Sequence, residues 1–163
     1  MNFVVHPQVV QTAHLYGCAA AKQGKFLEYK HAFWDKGFDA YAASGGRDKS
    51  SMGEDNILKF TGELGFDTDK LKADAHSDAC TKRLSDDENE MRKFHVNGTP
   101  GFFINGKFIG GGIPKEAFKK IIDEKLEIAE KSGVSGAEYY QKEIMGKGVH
   151  QFRSKHDAAS GGH

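Results

Sequence analysis

Apolar residues along this chain change their spacing twice, and the changes divide it into three stretches. Residues 2–6, Asn-Phe-Val-Val-His, are short, β-branched and aromatic, which predicts a strand that Pro7 ends. From residue 8 to about 94 the apolar positions recur every three or four residues, as on helical faces. Beyond residue 95 two runs of strand formers appear, followed by a renewed helical period.

In the helical stretch, Pro7 suits the first position of a helix running through Val9, Val10, Ala13, Tyr16 and Gly17 to Ala20. Its small residues Ala13, Gly17, Ala20 and Ala21 would let another element pack closely. Gly24 interrupts the pattern. Phe26, Tyr29, Phe33 and Trp34 then form one apolar face of a second helix, read as core and not as a cofactor box. Residues 43–51 are polar and glycine-rich, which predicts a loop. Ser51 with Glu54 has the spacing of a capping box and predicts a helix through Ile57, Leu58 and Phe60 that Gly65 stops. Asp67 or Thr68 caps the next helix, with Leu71 and Ala75. A further helix carries Cys80 and Leu84, and Ser85 with Glu88 predicts a separate one through Met91 that ends near His95.

The densest information lies in residues 96–111. Phe102-Phe103-Ile104 and Lys107-Phe108-Ile109 flank Asn105-Gly106, which predicts a tight hairpin, because both turn residues must adopt positive φ. Pro114 opens a helix with Phe118, Ile121, Ile122, Leu126 and Ala129 on one face, closed by Gly133. A third capping-box pair, Ser135 with Glu138, starts a short helix containing Tyr139, Tyr140, Ile144 and Met145. Residues 147–163 are predicted to be a disordered tail. No internal repeat is present.

Composition narrows the chemistry. The chain has 163 residues, with 23 basic and 23 acidic side chains and a formal net charge of zero. That balance argues against nucleic acid as a partner, since phosphate binding needs a basic excess on some face. The apolar runs are too short to span a bilayer. Residues 1–7 show neither a basic nor an apolar leader region, so no secretory signal is expected within this chain. Cys18 and Cys80 are the only cysteines; two buried thiols acting as small hydrophobes are the favoured reading, one disulfide the alternative. The eight histidines lack ligand spacing, so no metal is expected.

The order of strand, long helical insertion, hairpin and helix resembles the DsbA-like thiol:disulfide oxidoreductases of the thioredoxin fold. Three segments carry the likeness. Val5-His6-Pro7 with the alanine-rich helix and Gln23-Gly24-Lys25-Phe26 is similar to the family's lead-in to its helical domain. Val96-Asn97-Gly98-Thr99-Pro100-Gly101-Phe102-Phe103-Ile104-Asn105-Gly106 is similar to its cis-proline loop and hairpin, and residues 114–128 to its closing helix. The resemblance implies an α/β class, a partial thioredoxin-like fold with a large helical insertion, a hairpin after a cis-proline loop, and a C-terminal helix. It implies one domain over residues 1–146, with the insertion at about 8–95 and the ββα half at about 96–132.

In the family, a strand and a Cys-x-x-Cys helix precede the position matched by Asn2. No Cys-x-x-Cys occurs in these residues, so no catalytic residue can be carried over, and no cofactor is expected. A thiolate at a helix N-terminus, the family's reactive group, has no counterpart here. What the resemblance does carry over is a substrate-binding wall. Gly98, Thr99 and Pro100 would face the cysteine pair, Thr99-Pro100 being cis and the Thr99 backbone pairing with an extended polypeptide. The implied substrates are unfolded or cysteine-containing proteins, and the implied compartment is oxidising, such as a bacterial periplasm. The expected function is a DsbA-like oxidoreductase domain without its Cys-x-x-Cys, truncated or inactive as written; a redox-inactive peptide-binding or assembly module is the alternative. Without the strand that leads to Cys-x-x-Cys, segments 3–5 and 102–104 lose their common neighbour. Three outcomes are then expected: the chain continues upstream, it borrows a strand from a homo-oligomeric or strand-swapped partner, or its strands pair anew.

Overall fold

The computed structural model describes residues 4–149, arranged in two compact units, Met1–Asn89 and Glu90–His163. Of the expected first strand, residues 2 and 3 lie outside the described residues, and residues 4–6 are not in a strand. A strand forms only where its backbone groups find a neighbour to bond, and the sheet among the described residues contains two strands, both in the second unit.

The first unit is helical. Helix α1, Pro7–Lys22, starts with Pro7 as expected and turns Tyr16, Ala19 and Ala20 fully inward. Gly24 then takes a positive φ of 73°, which only glycine adopts cheaply, and the chain reverses into α2, Phe26–Phe33. The segment Gln23-Gly24-Lys25 also ties this corner to the far side of the unit. The Gln23 side-chain amide donates to the Asp67 carbonyl at 2.9 Å and accepts from the Asp67 N–H at 3.2 Å. Lys25 Nζ donates to the Gly65 carbonyl at 2.8 Å.

From α2 the helical path continues without a break through one wide π turn, Trp34–Phe38, into α3, Asp39–Ala43. Gly37 is buried inside that turn, where an added Cβ would lie 3.2 Å from the Phe33 ring and 3.3 Å from the Ser51 carbonyl oxygen. Half of the aromatic stripe expected as core is indeed core. Tyr29 is buried and donates from its hydroxyl to the Ala13 carbonyl at 2.7 Å, and Phe33 packs beside it. Phe26 and Trp34, in contrast, are 44% and 48% exposed, the latter resting edge-on against Phe38.

The polar loop ends in a short 3-10 turn, Lys49–Met52, before α4, Glu54–Glu63. The Ser51–Glu54 capping box does not form. Gly53 is the N-cap of α4, the Ser51 hydroxyl donates to the Asp48 carbonyl, and Glu54 turns to Lys72 and His76, in the next helix and at its end. Helix α5, Thr68–Ala75, is capped by Asp67, whose carboxylate accepts from the Lys70 N–H at 2.9 Å. Helix α6, Asp78–Lys93, runs unbroken through Ser85, so the expected separate helix there is the second half of one long element. A Ser-x-x-Glu spacing inside a helix simply places both side chains on one face.

Ile57, Phe60, Leu71 and Ala75 join Tyr16, Ala19, Ala20 and Tyr29 in the core of this unit. Outside it, Glu54 braces α4 to α5: its carboxylate meets Lys72 Nζ at 2.7 Å and His76 Nε2 at 2.6 Å. The Lys72 bond, then the His76 bond, hold the Glu54 carboxyl down at about 2. Its folded-state value lies below its unfolded one, so the stabilisation is complete above the ordinary carboxylate range and lost as pH falls toward 2. Glu54→Gln should therefore cost about 1 kcal/mol at neutral pH, the figure for a partly screened pair. Urea unfolding checks this, since the gap between parent and variant should close in acid; an equal gap at both pH values would show that charge is not its source.

The second unit carries the sheet. Strands β1, Gly101–Ile104, and β2, Lys107–Gly110, pair antiparallel with Phe102 opposite Ile109 and Phe103 opposite Phe108. Asn105 and Gly106 turn the hairpin with φ of 42° and 80°, the left-handed pair the sequence called for. Pro114 is the N-cap of α7, Lys115–Lys131, one place earlier than expected. Gly133 follows at φ 69°, then α8, Gly136–Tyr139, which runs on as a π turn through Tyr140–Met145. Ser135 is the N-cap of α8, but its hydroxyl donates to the Glu138 carboxylate at 2.9 Å, so that capping box is also not made. Helix α7 is amphipathic, yet none of its residues is fully buried; Phe118 meets Phe102 edge-on at 4.9 Å, while Ile122, Leu126 and Ile128 stay exposed. Of the tail expected at 147–163, residues 150–163 lie outside the described residues.

Candidate functional site: the Thr99–Pro100 loop

The loop before β1 is held at both ends. At its start the last turn of α6 closes with His95 at φ 56°, and the Val96 N–H donates back to the Met91 carbonyl at 3.2 Å. The Val96 side chain is buried, so the chain enters the loop from a fixed point. At its far end the Gly111 N–H donates to the Pro100 carbonyl at 2.8 Å, extending the β1–β2 ladder by one pair. Between these anchors Gly98 is half-buried, Thr99 and Pro100 are exposed, and the Thr99–Pro100 peptide bond is cis.

The hairpin register decides which backbone groups this end of the unit offers. In a two-residue hairpin the closing pair, Ile104 with Lys107, exchanges hydrogen bonds. Bonded pairs then alternate, through Phe102 with Ile109 to Pro100 with Gly111, and the measured Gly111 bond fits this phase. Gly101 and Phe103 consequently turn their N–H and C=O groups away from β2. The Thr99 backbone makes no hydrogen bond among the described residues. Main-chain donors and acceptors thus stand in a row at Thr99, Gly101 and Phe103.

Side chains shape the surroundings of that row. Phe103 packs edge-on to Phe94 at 5.6 Å and tilted on Phe108 at 5.1 Å, but is still 49% exposed. Gly101 is close to Phe108, where an added Cβ would lie 3.3 Å from the ring, while nothing would crowd one at Gly98. Thr99 supplies the only polar side chain in residues 98–101. The loop can therefore offer main-chain hydrogen bonds and an apolar margin, and residues 98–101 contain no thiol.

The sulfur chemistry of the chain lies elsewhere, in the first unit. Cys18 of α1 and Cys80 of α6, 62 positions apart in sequence, are joined as a disulfide with Cα atoms 5.7 Å apart. This corrects the favoured reading of two separate buried thiols. Cys80 is fully buried and Cys18 only partly, and no local spacing announces that the two helices lie side by side. Among the described residues no three His, Cys, Asp or Glu side chains are grouped to hold a metal ion, and no helix is long and apolar enough to cross a membrane.

Comparison with known proteins gives two findings. The family model described as DSBA-like thioredoxin domain matches residues 3–123. A probable disulfide bond formation protein D of Bacillus cereus is 26% identical over 111 residues, which cover 67% of this chain and 50% of the relative. The chain thus spans about half the length of the curated relative it matches. No solved structure matches.

Proposed function

The chain belongs to the DSBA-like thioredoxin domain family, and from that premise we propose that it is the polypeptide-binding portion of a protein thiol–disulfide oxidoreductase. In this reading Gly98, Thr99 and Pro100 form the wall on which an extended, cysteine-containing substrate lies. The observation that carries it is the exposed Thr99, whose backbone makes no hydrogen bond among the described residues and stands in line with the outward edge of β1. A strand added there would gain main-chain hydrogen bonds regardless of its sequence, as an oxidoreductase with many substrates requires. Cys18 and Cys80, bonded to each other but 62 positions apart on two helices, do not have the family's Cys-x-x-Cys spacing, and this reading gives them no part in the redox step at the wall. The proposed role is therefore binding and orientation of the substrate, with the redox step supplied by a cysteine pair outside these residues.

Two substitutions at one position test the wall. Binding of a fluorescent extended peptide with one S-methylated cysteine should survive Thr99→Ala, because the contact is to the backbone. Thr99→Pro removes the N–H and should weaken binding about tenfold, the worth of one main-chain hydrogen bond near 1.4 kcal/mol. Circular dichroism confirms that each variant folds. Equal binding by Thr99→Pro and the parent would refute the wall.

A redox-inactive binding module is the second reading, favoured by the commitment of both cysteines to one internal disulfide. Insulin reduction by the protein purified from its own cells separates the two. Catalysed reduction supports the oxidoreductase; peptide binding without reduction supports the module.

A further inference from the structure

The Cys18–Cys80 bridge borders a cleft of about 800 Å³ in the first unit. Its floor is apolar, from Gly17, Ala21 and the exposed ring of Phe26. Its rim is built of ion pairs: Lys22 with Asp74 at 2.9 Å, Lys82 with Asp86 at 2.6 Å, and Arg83 with Asp87 at 3.4 Å. Cys18 lines this cleft and is partly accessible, whereas Cys80 is shut away in the core. A nucleophile entering the cleft would therefore approach the bridge from the Cys18 side and not from that of its partner.

We propose that this disulfide is a second, reducible site, opened at Cys18 by a small peptide thiol that carries both ammonium and carboxylate groups. A rim of alternating cations and carboxylates complements such a zwitterion better than it does a simple anion. The thiolate sulfur bonds to Cys18 Sγ, the S–S bond breaks, and its electron pair leaves on Cys80 Sγ. Burial makes that charge on Cys80 costly, and its place in the chain offsets part of the cost. Cys80 lies in the first turn of α6, a sixteen-residue helix whose amino-terminal end favours an anion. A second thiol molecule attacks the outer sulfur of the mixed disulfide and releases Cys18 as thiolate. The balance is two thiols oxidised to one small disulfide and one protein disulfide reduced to two thiols. The site neither contains nor requires the Thr99–Pro100 wall, so its test is independent of the reading above.

The experiment exposes the native, oxidised protein to reduced glutathione or to 2-mercaptoethanol at matched thiolate concentration. Samples are quenched by alkylation, and the adduct is located by peptide mass mapping. The expected result is a glutathione adduct on Cys18 that forms faster than the mercaptoethanol one. Lys82→Gln with Arg83→Gln should slow the glutathione reaction roughly threefold or more and leave the mercaptoethanol reaction unchanged, because only the charged thiol uses the rim. An adduct on Cys80, a rate independent of thiol concentration, or equal slowing of both thiols would overturn the proposal. The second of these would mean that the bridge opens only after the unit unfolds.

Discussion

Cys18→Ala with Cys80→Ala should lower the unfolding free energy by about 4 kcal/mol. The bridge joins positions 62 apart, and closing a loop of that length removes this much conformational freedom from the unfolded chain. The loss should appear in urea unfolding as an earlier midpoint. Reduction of the parent under native conditions should shift the midpoint by a similar amount, because both treatments free the same loop. The bridge stabilises chiefly by limiting the unfolded state, so the tyrosine environment of the folded unit should be nearly unchanged in the double variant. A loss well under 1 kcal/mol would mean that the reduced, unfolded chain already keeps α1 and α6 close.

Phe60→Ala should cost about 3–5 kcal/mol, the range for deleting a buried aromatic ring from a packed interior. Phe60 is 1% exposed, and its ring stands 6.0 Å from that of Tyr29. Its neighbours in the core, Ile57, Leu71 and Ala75, project from two short helices that fix their backbones. They cannot close over the space the ring leaves, which is what makes such a cavity expensive. The bridge and the ring act on different states, one on the unfolded chain and one on the folded core. Their effects should therefore add in a combined variant, and the reduced Phe60→Ala protein should be largely unfolded at room temperature. Far-ultraviolet circular dichroism with and without reductant measures this, and survival of full helicity in the reduced variant would contradict it.

Features encoded by a few adjacent residues could be read from the sequence. Pro7 opened α1 as expected, Asp67 capped α5, and Asn105-Gly106 produced its hairpin, because each depends on the φ preference or hydrogen-bonding reach of the residues themselves. Ser51 and Glu54 misled for the opposite reason. Both had better partners beyond their own helix, Asp48 for the hydroxyl and the Lys72–His76 pair for the carboxylate. Ser85 and Glu88 misled because a helix start and a helix face share the same spacing. The amphipathic stripe of α7 was plain in the sequence, but a stripe says which side is apolar and not how much of it is covered. The candidate wall at residues 98–100 could be located by its resemblance. That Thr99 stands exposed, with a backbone unbonded among the described residues, depends on Val96 and Gly111 anchoring the loop, which no residue type at positions 98–100 reveals.

The disulfide also gives the chain a topology of its own. Residues 18–80 form a closed ring from which two tails emerge, and the polar loop Ser44-Gly45-Gly46-Arg47-Asp48 lies on the ring. Most of that loop is exposed. A cut there converts a ring with two tails into two strands of polypeptide joined at one sulfur–sulfur bond. The pieces cannot diffuse apart while the bond lasts, so the folded unit would survive a severed backbone, and its unity would pass from the peptide chain to the bridge. A reductant that leaves the uncut protein a single molecule would then remove the last covalent link between the two parts of the cut one.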